Sequence, residues 1–210
     1  MDGRRLIGLV VLFDVIALSI LYPHIDIFSC GYLVLSTALS ILAAVVSRYF
    51  QSPDEIQRLF YSKDIDRTWD RCVVVLGLAE LGVFFEYSHW RAIPGLLGTS
   101  VQVVGLSLNI AGAIWLVWVD SYLVREFPSH FQRGALMTSG PYRHVRHPLY
   151  IGLLATRLSL PLIFGSAIGC VLAIAWYLLI RRRARLEERY LSGRFGAVYS
   201  QYAAHALGIP

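Results

Sequence analysis

Long apolar runs separated by short charged segments dominate the pattern of this chain. The first four runs are Leu6–Tyr22, Cys30–Ser47, Cys72–Tyr87 and Ile93–Val119. A hydrocarbon core about 30 Å thick needs on the order of 20 helical residues to cross it, so each run predicts a transmembrane helix. The third run is the least regular, because Glu80 lies inside it and Glu86 lies near its end.

The last apolar run, Leu149–Ile180, is too long for one crossing and short for two. A straight helix of this run would measure about 48 Å at about 1.5 Å per residue. Pro161 and the pair Gly165-Ser166 are places where the helix can break. We therefore expect a helical hairpin, and with it an all-α, multi-pass bundle of about six membrane segments.

Charge placement favours a membrane protein with both termini in the cytosol. Only 16% of the 210 residues are charged, 56% are hydrophobic, and the mean hydropathy is +0.57. The net charge is +5, and all but one of the nineteen basic residues are arginines, which cluster between the apolar runs. Their distribution follows the positive-inside rule, which makes the lipid bilayer the expected partner and argues against nucleic acid. We expect an integral protein of the inner or plasma membrane in a prokaryote, or of the endoplasmic reticulum in a eukaryote.

No linker, repeat or low-complexity segment divides the chain, so we expect a single membrane-embedded domain over residues 1–210. Residues 1–120 would form the N-terminal transmembrane helices, and residues 136–202 carry the candidate chemistry. Between the second and third runs, Ser52-Pro53-Asp54-Glu55 resembles a capped helix start. It predicts a short helix over residues 52–63 on the cytosolic membrane surface.

A polar segment precedes the final apolar run. It reads Ser139-Gly140-Pro141-Tyr142-Arg143-His144-Val145-Arg146-His147-Pro148-Leu149-Tyr150. Gly140-Pro141 predicts a turn, and Pro148 predicts the first residue of a helix, whose leading N–H groups lack backbone partners. Such a helix start favours an anionic group, although a plain positively charged membrane flank would look the same. His144 and His147 have no thiol or carboxylate at a suitable spacing, so we expect no metal site.

A second polar cluster follows the run and reads Arg181-Arg182-Arg183-Ala184-Arg185-Leu186-Glu187-Glu188-Arg189-Tyr190. Arg183 and Glu187 are four residues apart and can pair on one helical face, as they would in a plain solvated helix end. A hairpin, however, returns both clusters to the same membrane face. A cationic helix start and two carboxylates would then flank one cavity. Carboxylates, donors and aromatic rings are the partners that S-adenosylmethionine needs, since it carries a sulfonium, an amine, a carboxylate and an adenosine.

The stretch 136–202 resembles the membrane methyltransferase family of isoprenylcysteine carboxyl methyltransferases and phospholipid N-methyltransferases. The resemblance covers about a third of the chain, and its elements occur in the family's order and spacing. They are Ser139-Gly140-Pro141-Tyr142, Arg146-His147-Pro148-Leu149-Tyr150, the apolar hairpin, Arg183 with Glu187-Glu188, and Phe195-Gly196-x-x-Tyr199-x-x-Tyr202. The first 120 residues match in hydropathy only.

The resemblance implies a cytosolic pocket for S-adenosylmethionine. By position, the residues that would hold this cofactor are Gly140, Tyr142, His147, Tyr150, Glu187 and Glu188. Arg146 and Arg183 would act in catalysis or substrate placement. Further candidates for substrate contact are Arg157, Tyr199 and Tyr202.

The surplus of arginine around these motifs favours an anionic methyl acceptor. A carboxylate has a reference pKa of about 4 and needs no general base at neutral pH, and arginine can hold it with two hydrogen bonds. We therefore expect isoprenylcysteine-type carboxyl O-methylation of a lipophilic acceptor that enters from the bilayer. Phospholipid N-methylation, or methylation of a thiol or another small lipophilic molecule, stays open.

Asp14, Glu80 and Arg157 lie within apolar runs, where charges are costly and normally face a partner or a cavity. We expect Arg157 to pair with Asp14 or Glu80, or else to contact the substrate. In the first case, replacing Arg157 with Leu leaves cofactor affinity nearly unchanged.

Two other classes of protein stay open. One is a membrane NADPH-dependent reductase of the steroid 5-alpha-reductase kind, whose C-terminal region is similar. No GxGxxG is present, but membrane reductases do not require one. The other is a non-enzymatic membrane protein, for which alanine at Glu187 or Glu188 would be silent.

Overall fold

A computed structural model of the protein describes residues 3–49, 66, 68–90, 93, 98–132 and 135–209. The regular elements of these residues are helices, and their backbone pairs in β fashion only at the single bridge between Val145 and Leu207. The expected all-α class is confirmed. The surface helix predicted over residues 52–63 lies outside the described residues.

The described α-helices follow in chain order. They are α1 (Gly3–Leu21), α2 (Ile27–Tyr49), α3 (Trp69–Ala79), α4 (Leu81–His89), α5 (Thr99–Gln132), α6 (Pro148–Phe164), α7 (Ala167–Phe195) and α8 (Ala197–His205). A 3₁₀ turn, Gly140–Arg143, precedes α6. The third apolar run is divided at Glu80, whose N–H is shared between the carbonyls of Leu76 and Gly77 at 3.2 Å each. The helix of the fourth run begins at Thr99, later than predicted. It continues to Gln132, well past Val119 and into the part of the sequence that is polar.

Among the described residues, two stretches are long and apolar enough to cross a membrane, Trp69–His89 and Thr99–Glu126. Shorter apolar helices are Val11–Leu21, Ile27–Leu39 and Pro148–Phe164. Large apolar side chains such as Val104, Ile114 and Val171 are exposed on the outside of the bundle, where hydrocarbon would cover them. Membrane character is thus supported by two helices, and the count of six segments stays a prediction.

Helix α6 packs mainly against α5, along a face with small residues. A Cβ on Gly112 would meet the Cβ of Ala155 at 3.0 Å, and one on Gly152 would lie 2.7 Å from Cγ of Leu116. Glycine therefore permits the close approach of the two backbones. Asn109 adds a hydrogen bond of 2.7 Å from its amide nitrogen to the Ser159 hydroxyl.

Helices α6 and α7 form the predicted hairpin, and the break falls at Gly165-Ser166 rather than at Pro161. Gly165 ends α6 with φ 56°, in the left-handed region. Ser166 then caps α7 by accepting the Gly169 N–H at 2.8 Å. The buried Glu86 carboxylate of α4 accepts the Ser166 hydroxyl and the N–H groups of Ala167 and Ile168. A carboxylate suits a helix start because it satisfies free N–H groups and complements the helix dipole.

Replacing Gly165 with Ala should lower the free energy of unfolding by about 1 kcal/mol, because a Cβ disfavours a positive φ. The matched control is Gly77→Ala, where the added Cβ in α3 meets nothing within 4 Å. Thermal unfolding of the detergent-solubilised variants measures the change in stability caused by each of the two substitutions. A Gly165→Ala variant as stable as the control would contradict the assigned turn.

The charged residues of the apolar runs have partners. Arg157 of α6 pairs with Glu80 through Nη1 at 2.7 Å, and the Trp176 indole N–H donates to Glu80 at 3.1 Å. Asp14 of α1 instead accepts the Thr37 hydroxyl of α2 at 2.8 Å. Of the two pairings predicted for Arg157, the one with Glu80 is therefore confirmed.

Candidate functional site

The hairpin brings the two polar clusters of the sequence into direct contact at its open end. Arg146, just before α6, pairs with Glu188 of α7 through Nη1 at 2.8 Å. His147 lies 3.1 Å from the same carboxylate through Nε2. We call the set that meets here the hairpin-base cluster. It consists of Arg146, His147, Tyr150, Arg183, Glu187 and Glu188.

Glu187 is the residue that most members of this cluster share. The Tyr150 hydroxyl donates to its Oε1 at 2.5 Å, and Nε of Arg183 donates to the same oxygen at 3.0 Å. Its other oxygen, Oε2, lies 3.5 Å from Nδ1 of His147. The expected pair of Arg183 and Glu187 on one helical face is confirmed.

The surroundings of Glu187 favour its ionised form. Burial raises the pKa of Glu187, but hydrogen bonds from His147 and Tyr150 and the charge of Arg183 outweigh it and hold the pKa below its usual value. Burial likewise lowers the pKa of Arg183, and Glu187 more than restores it. Two cations and two carboxylates thus neutralise each other at a site where His147 and Arg183 are only 5% and 2% exposed.

Aromatic residues of the last matching element lie beside this cluster. The Tyr202 hydroxyl donates to the Tyr142 carbonyl at 2.7 Å and thereby ties α8 to the turn before α6. Burial raises the pKa of Tyr202 to about 12. The buried Tyr199 hydroxyl lies beside Arg146, but neither this hydroxyl nor Nε of Arg146 makes a hydrogen bond of good geometry among the described residues.

The two remaining cofactor candidates, Gly140 and Tyr142, lie in the 3₁₀ turn that precedes the cluster in the chain. Gly140 has φ 59°, and a Cβ there would overlap the Tyr122 ring. The Tyr142 ring packs against the group of Val119, Leu123 and Met137. In the described contacts neither residue bonds to Glu187 or Glu188. Arg157 lies apart from the cluster, in its pair with Glu80.

Trp69, at the start of α3, is a neighbour of the cluster that the sequence reasoning missed. Its ring lies 5.6 Å from Cζ of Arg183 and 6.0 Å from the Tyr150 ring. Asp66 accepts from Arg182 at 3.2 Å and from the Thr68 hydroxyl at 2.7 Å, which anchors the start of this helix on α7. The signal available in the sequence was an aromatic residue just before the N-terminal end of an apolar run.

The donor set of the cluster suits a ligand that carries both signs of charge and an aromatic group. Its carboxylates match cations, its arginines match an anion, and Trp69 and Tyr150 present rings. The Tyr199 hydroxyl and Arg146 Nε add polar atoms with capacity for a further hydrogen bond. The described residues thus form a helical protein with a candidate polar ligand site at the end of a hairpin, and two of its stretches are long and apolar enough to cross a membrane.

Comparison with known families identifies this class further. The phospholipid methyltransferase family matches residues 94–198, which is half of the chain and includes the whole hairpin. The chain belongs to the phospholipid methyltransferase family. The family predicted from the motifs is confirmed.

Two relatives whose names are those of methyltransferases agree with this assignment. A Protein-S-isoprenylcysteine O-methyltransferase of Schizosaccharomyces pombe is 34% identical over 77 residues, covering 36% of this chain and 33% of the relative. Methanethiol S-methyltransferase 2 of Bradyrhizobium diazoefficiens is 26% identical over 160 residues, 68% of this chain and 60% of the relative. The cobalt-zinc-cadmium resistance protein CzcN of Cupriavidus metallidurans is 34% identical over 136 residues, covering 63% of this chain and 57% of the relative.

These matches span only part of each relative, from 33% to 60% of its length. No solved structure matches the chain.

Proposed function

We propose that this chain is an S-adenosylmethionine-dependent methyltransferase that O-methylates the carboxylate of a lipophilic acceptor of the isoprenylcysteine type. The observation that carries the proposal is the hairpin-base cluster. Residues that are 37 to 41 positions apart in the chain meet there within hydrogen-bond distance. Membership of a methyltransferase family supplies the reaction class, and the cluster supplies a site of matching chemistry.

The residues that would hold the cofactor are those of the cluster and of the preceding turn. Glu187 and Glu188 would face its cationic end, and Tyr150 and His147 would orient these carboxylates. Gly140 and Tyr142 would form the adjoining wall. When bound, S-adenosylmethionine supplies a methyl group already activated by a positive sulfur.

The task left to the chain is to place the acceptor anion and to exclude water. An ionised carboxylate needs no general base, so the proposal assigns no proton transfer to any residue. Arg146 and Arg183 are the cations available to hold it, and Arg146 has a buried Nε without a partner among the described residues. Alignment of this kind contributes much of the rate of a displacement between two bound reactants.

The acceptor's apolar part would enter from the bilayer. Exposed apolar side chains on α5 and α7, such as Ile114 and Val171, support contact with lipid along these helices. In this proposal the cluster opens to the cytosol, and both chain termini lie on the cytosolic side. Tyr199 and Tyr202 are the proposed contacts near the acceptor's polar end, while Arg157 has a structural role through Glu80.

S-methylation of a thiol is the second candidate. It is favoured by the relative from Bradyrhizobium diazoefficiens, whose alignment covers more of this chain than the other two. A thiolate is also an anion and would use the same arginines. Amine methylation, suggested by the family's name, would require loss of a proton from the acceptor.

The reaction class and the acceptor are testable on purified protein in lipid nanodiscs. S-adenosylhomocysteine should bind and NADPH should not; the reverse result would favour a reductase. With labelled S-adenosylmethionine, a prenylated cysteine should become an alkali-labile methyl ester. A short alkyl thiol and phosphatidylethanolamine should remain unlabelled under the same conditions.

Two outcomes of this experiment would revise the acceptor. Labelling of the thiol in preference to the prenylated cysteine would make S-methylation the function. Equal labelling of a prenylated cysteine and of its short water-soluble analogue would contradict entry from the bilayer.

A further inference from the structure

The segment 206–209, which follows α8, lies against the residues just before α6. Leu207 donates its N–H to the His144 carbonyl at 2.9 Å, and Arg146 donates its N–H to the Leu207 carbonyl at 2.8 Å. These two bonds form a parallel bridge between Val145 and Leu207. Ile209 packs against the buried group that includes Tyr150 and Ala184. The segment is therefore held on both sides of Gly208.

Gly208 lies against the guanidinium of Arg146. A Cβ built on it would overlap Nη2 and would stand 2.6 Å from Cζ and 3.0 Å from Nε. The other terminal nitrogen, Nη1, is the one that pairs with Glu188 at 2.8 Å. The guanidinium is thus confined between the Glu188 carboxylate and the backbone of this segment.

We propose that Gly208 is a positioning residue for Arg146: its missing side chain lets the bridged segment hold the guanidinium on Glu188. This inference rests on the proposed function. Gly208 lies outside the residues matched by the family, 94–198, so the assignment comes from this chain's own packing. In the part of the chain that the structure describes, the glycines with positive φ are Gly140, Gly165 and Gly196, and Gly208 is not one of them. An alanine at 208 therefore meets no backbone strain, and its effect is confined to Arg146.

The overlap is with the far end of a long side chain, which can swing away at little cost to the fold. Gly208→Ala should therefore displace the guanidinium from Glu188 and leave the unfolding temperature nearly unchanged. In the proposed function Glu188 faces the ligand's ammonium group, and Arg146 holds that carboxylate in place at 2.8 Å. Loss of this charge-assisted contact leaves Glu188 misplaced and should weaken S-adenosylhomocysteine binding about 10-fold. Gly193→Ala is the matched control, because its Cβ meets nothing within 4 Å in the same structure.

The experiment measures S-adenosylhomocysteine affinity by calorimetry, and thermal unfolding, for the full chain in nanodiscs. The variants are Gly208→Ala, Gly193→Ala, Arg146→Ala and the double variant Arg146→Ala/Gly208→Ala. We expect Gly208→Ala to bind about 10-fold more weakly, Gly193→Ala to match the wild type, and the double variant to match Arg146→Ala. A purely structural role of Gly208 would instead weaken binding in both backgrounds.

Three results would overturn the inference. The first is wild-type affinity of Gly208→Ala, and the second is an equal further loss in the Arg146→Ala background. The third is a Gly208→Ala variant that fails to fold and is not rescued by Arg146→Ala, because removing the overlapping side chain should relieve the clash. If the wild type itself does not bind S-adenosylhomocysteine, the proposed function fails, and this inference falls with it.

Discussion

Replacing Glu187 with Gln should weaken S-adenosylhomocysteine binding by roughly 30- to 100-fold. The carboxylate accepts hydrogen bonds from Tyr150 and Arg183 and lies 3.5 Å from His147. Glutamine keeps the size of the side chain but removes the charge that, in the proposed function, would face the ammonium group of S-adenosylhomocysteine. The loss of charged hydrogen bonds at a site 24% exposed corresponds to about 2–3 kcal/mol. Calorimetric titration of the purified variant measures it.

The control for this variant is Asp70→Asn, which removes a negative charge from the exposed first turn of α3. It should leave affinity unchanged, so a non-specific effect of net charge would be visible as an equal loss in both variants. The unfolding temperature should fall for Glu187→Gln, because Arg183 loses its counter-charge. The protein should nevertheless remain folded at the temperature of the titration. Unchanged binding by a folded Glu187→Gln would remove the hairpin-base cluster as the cofactor site.

The hairpin could be predicted because its signals are local. An apolar run too long for one crossing, with a glycine-serine pair inside it, leaves few ways to place its ends. Once the run folds back, Arg146 and Glu188 must return to the same end of the bundle, and the structure places them 2.8 Å apart. Local helix propensity does not decide whether the run breaks at Pro161 or at Gly165. The choice depends on Glu86, which reaches across from another helix to cap the start of α7.

The neighbours of the cluster could not be predicted, because they come from distant parts of the chain. Trp69 precedes Arg183 by more than a hundred residues, and no periodicity links the two. Gly208 has an ordinary sequence context and matters only because a guanidinium occupies the space where its side chain would be. Glu187 and Glu188 point about 100° apart on an ideal helix. They nevertheless approach the same imidazole, because its two nitrogens face different directions.

Replacing Arg157 with Leu should destabilise the fold by about 3–5 kcal/mol, the largest effect on stability that we expect. The reason is the partner left behind. Glu80 is buried between α3 and the hairpin, and without Arg157 its carboxylate keeps only the Trp176 indole as a described hydrogen-bond donor. A buried carboxylate without a counter-charge destabilises the fold far more than removal of both charges would. Thermal unfolding in nanodiscs should therefore show a large decrease for Arg157→Leu.

The double variant Glu80→Gln/Arg157→Leu tests this reason, since it removes both charges and keeps an acceptor for Trp176. It should recover most of the lost stability, so that the two substitutions are strongly non-additive. Affinity for S-adenosylhomocysteine should stay within about twofold of the wild type in every folded variant, since this pair lies apart from the hairpin-base cluster. A stable double variant that binds S-adenosylhomocysteine normally but no longer methylates a lipophilic acceptor would instead make Arg157 a substrate contact. That result would extend the proposed acceptor site from the open end of the hairpin into its apolar interior.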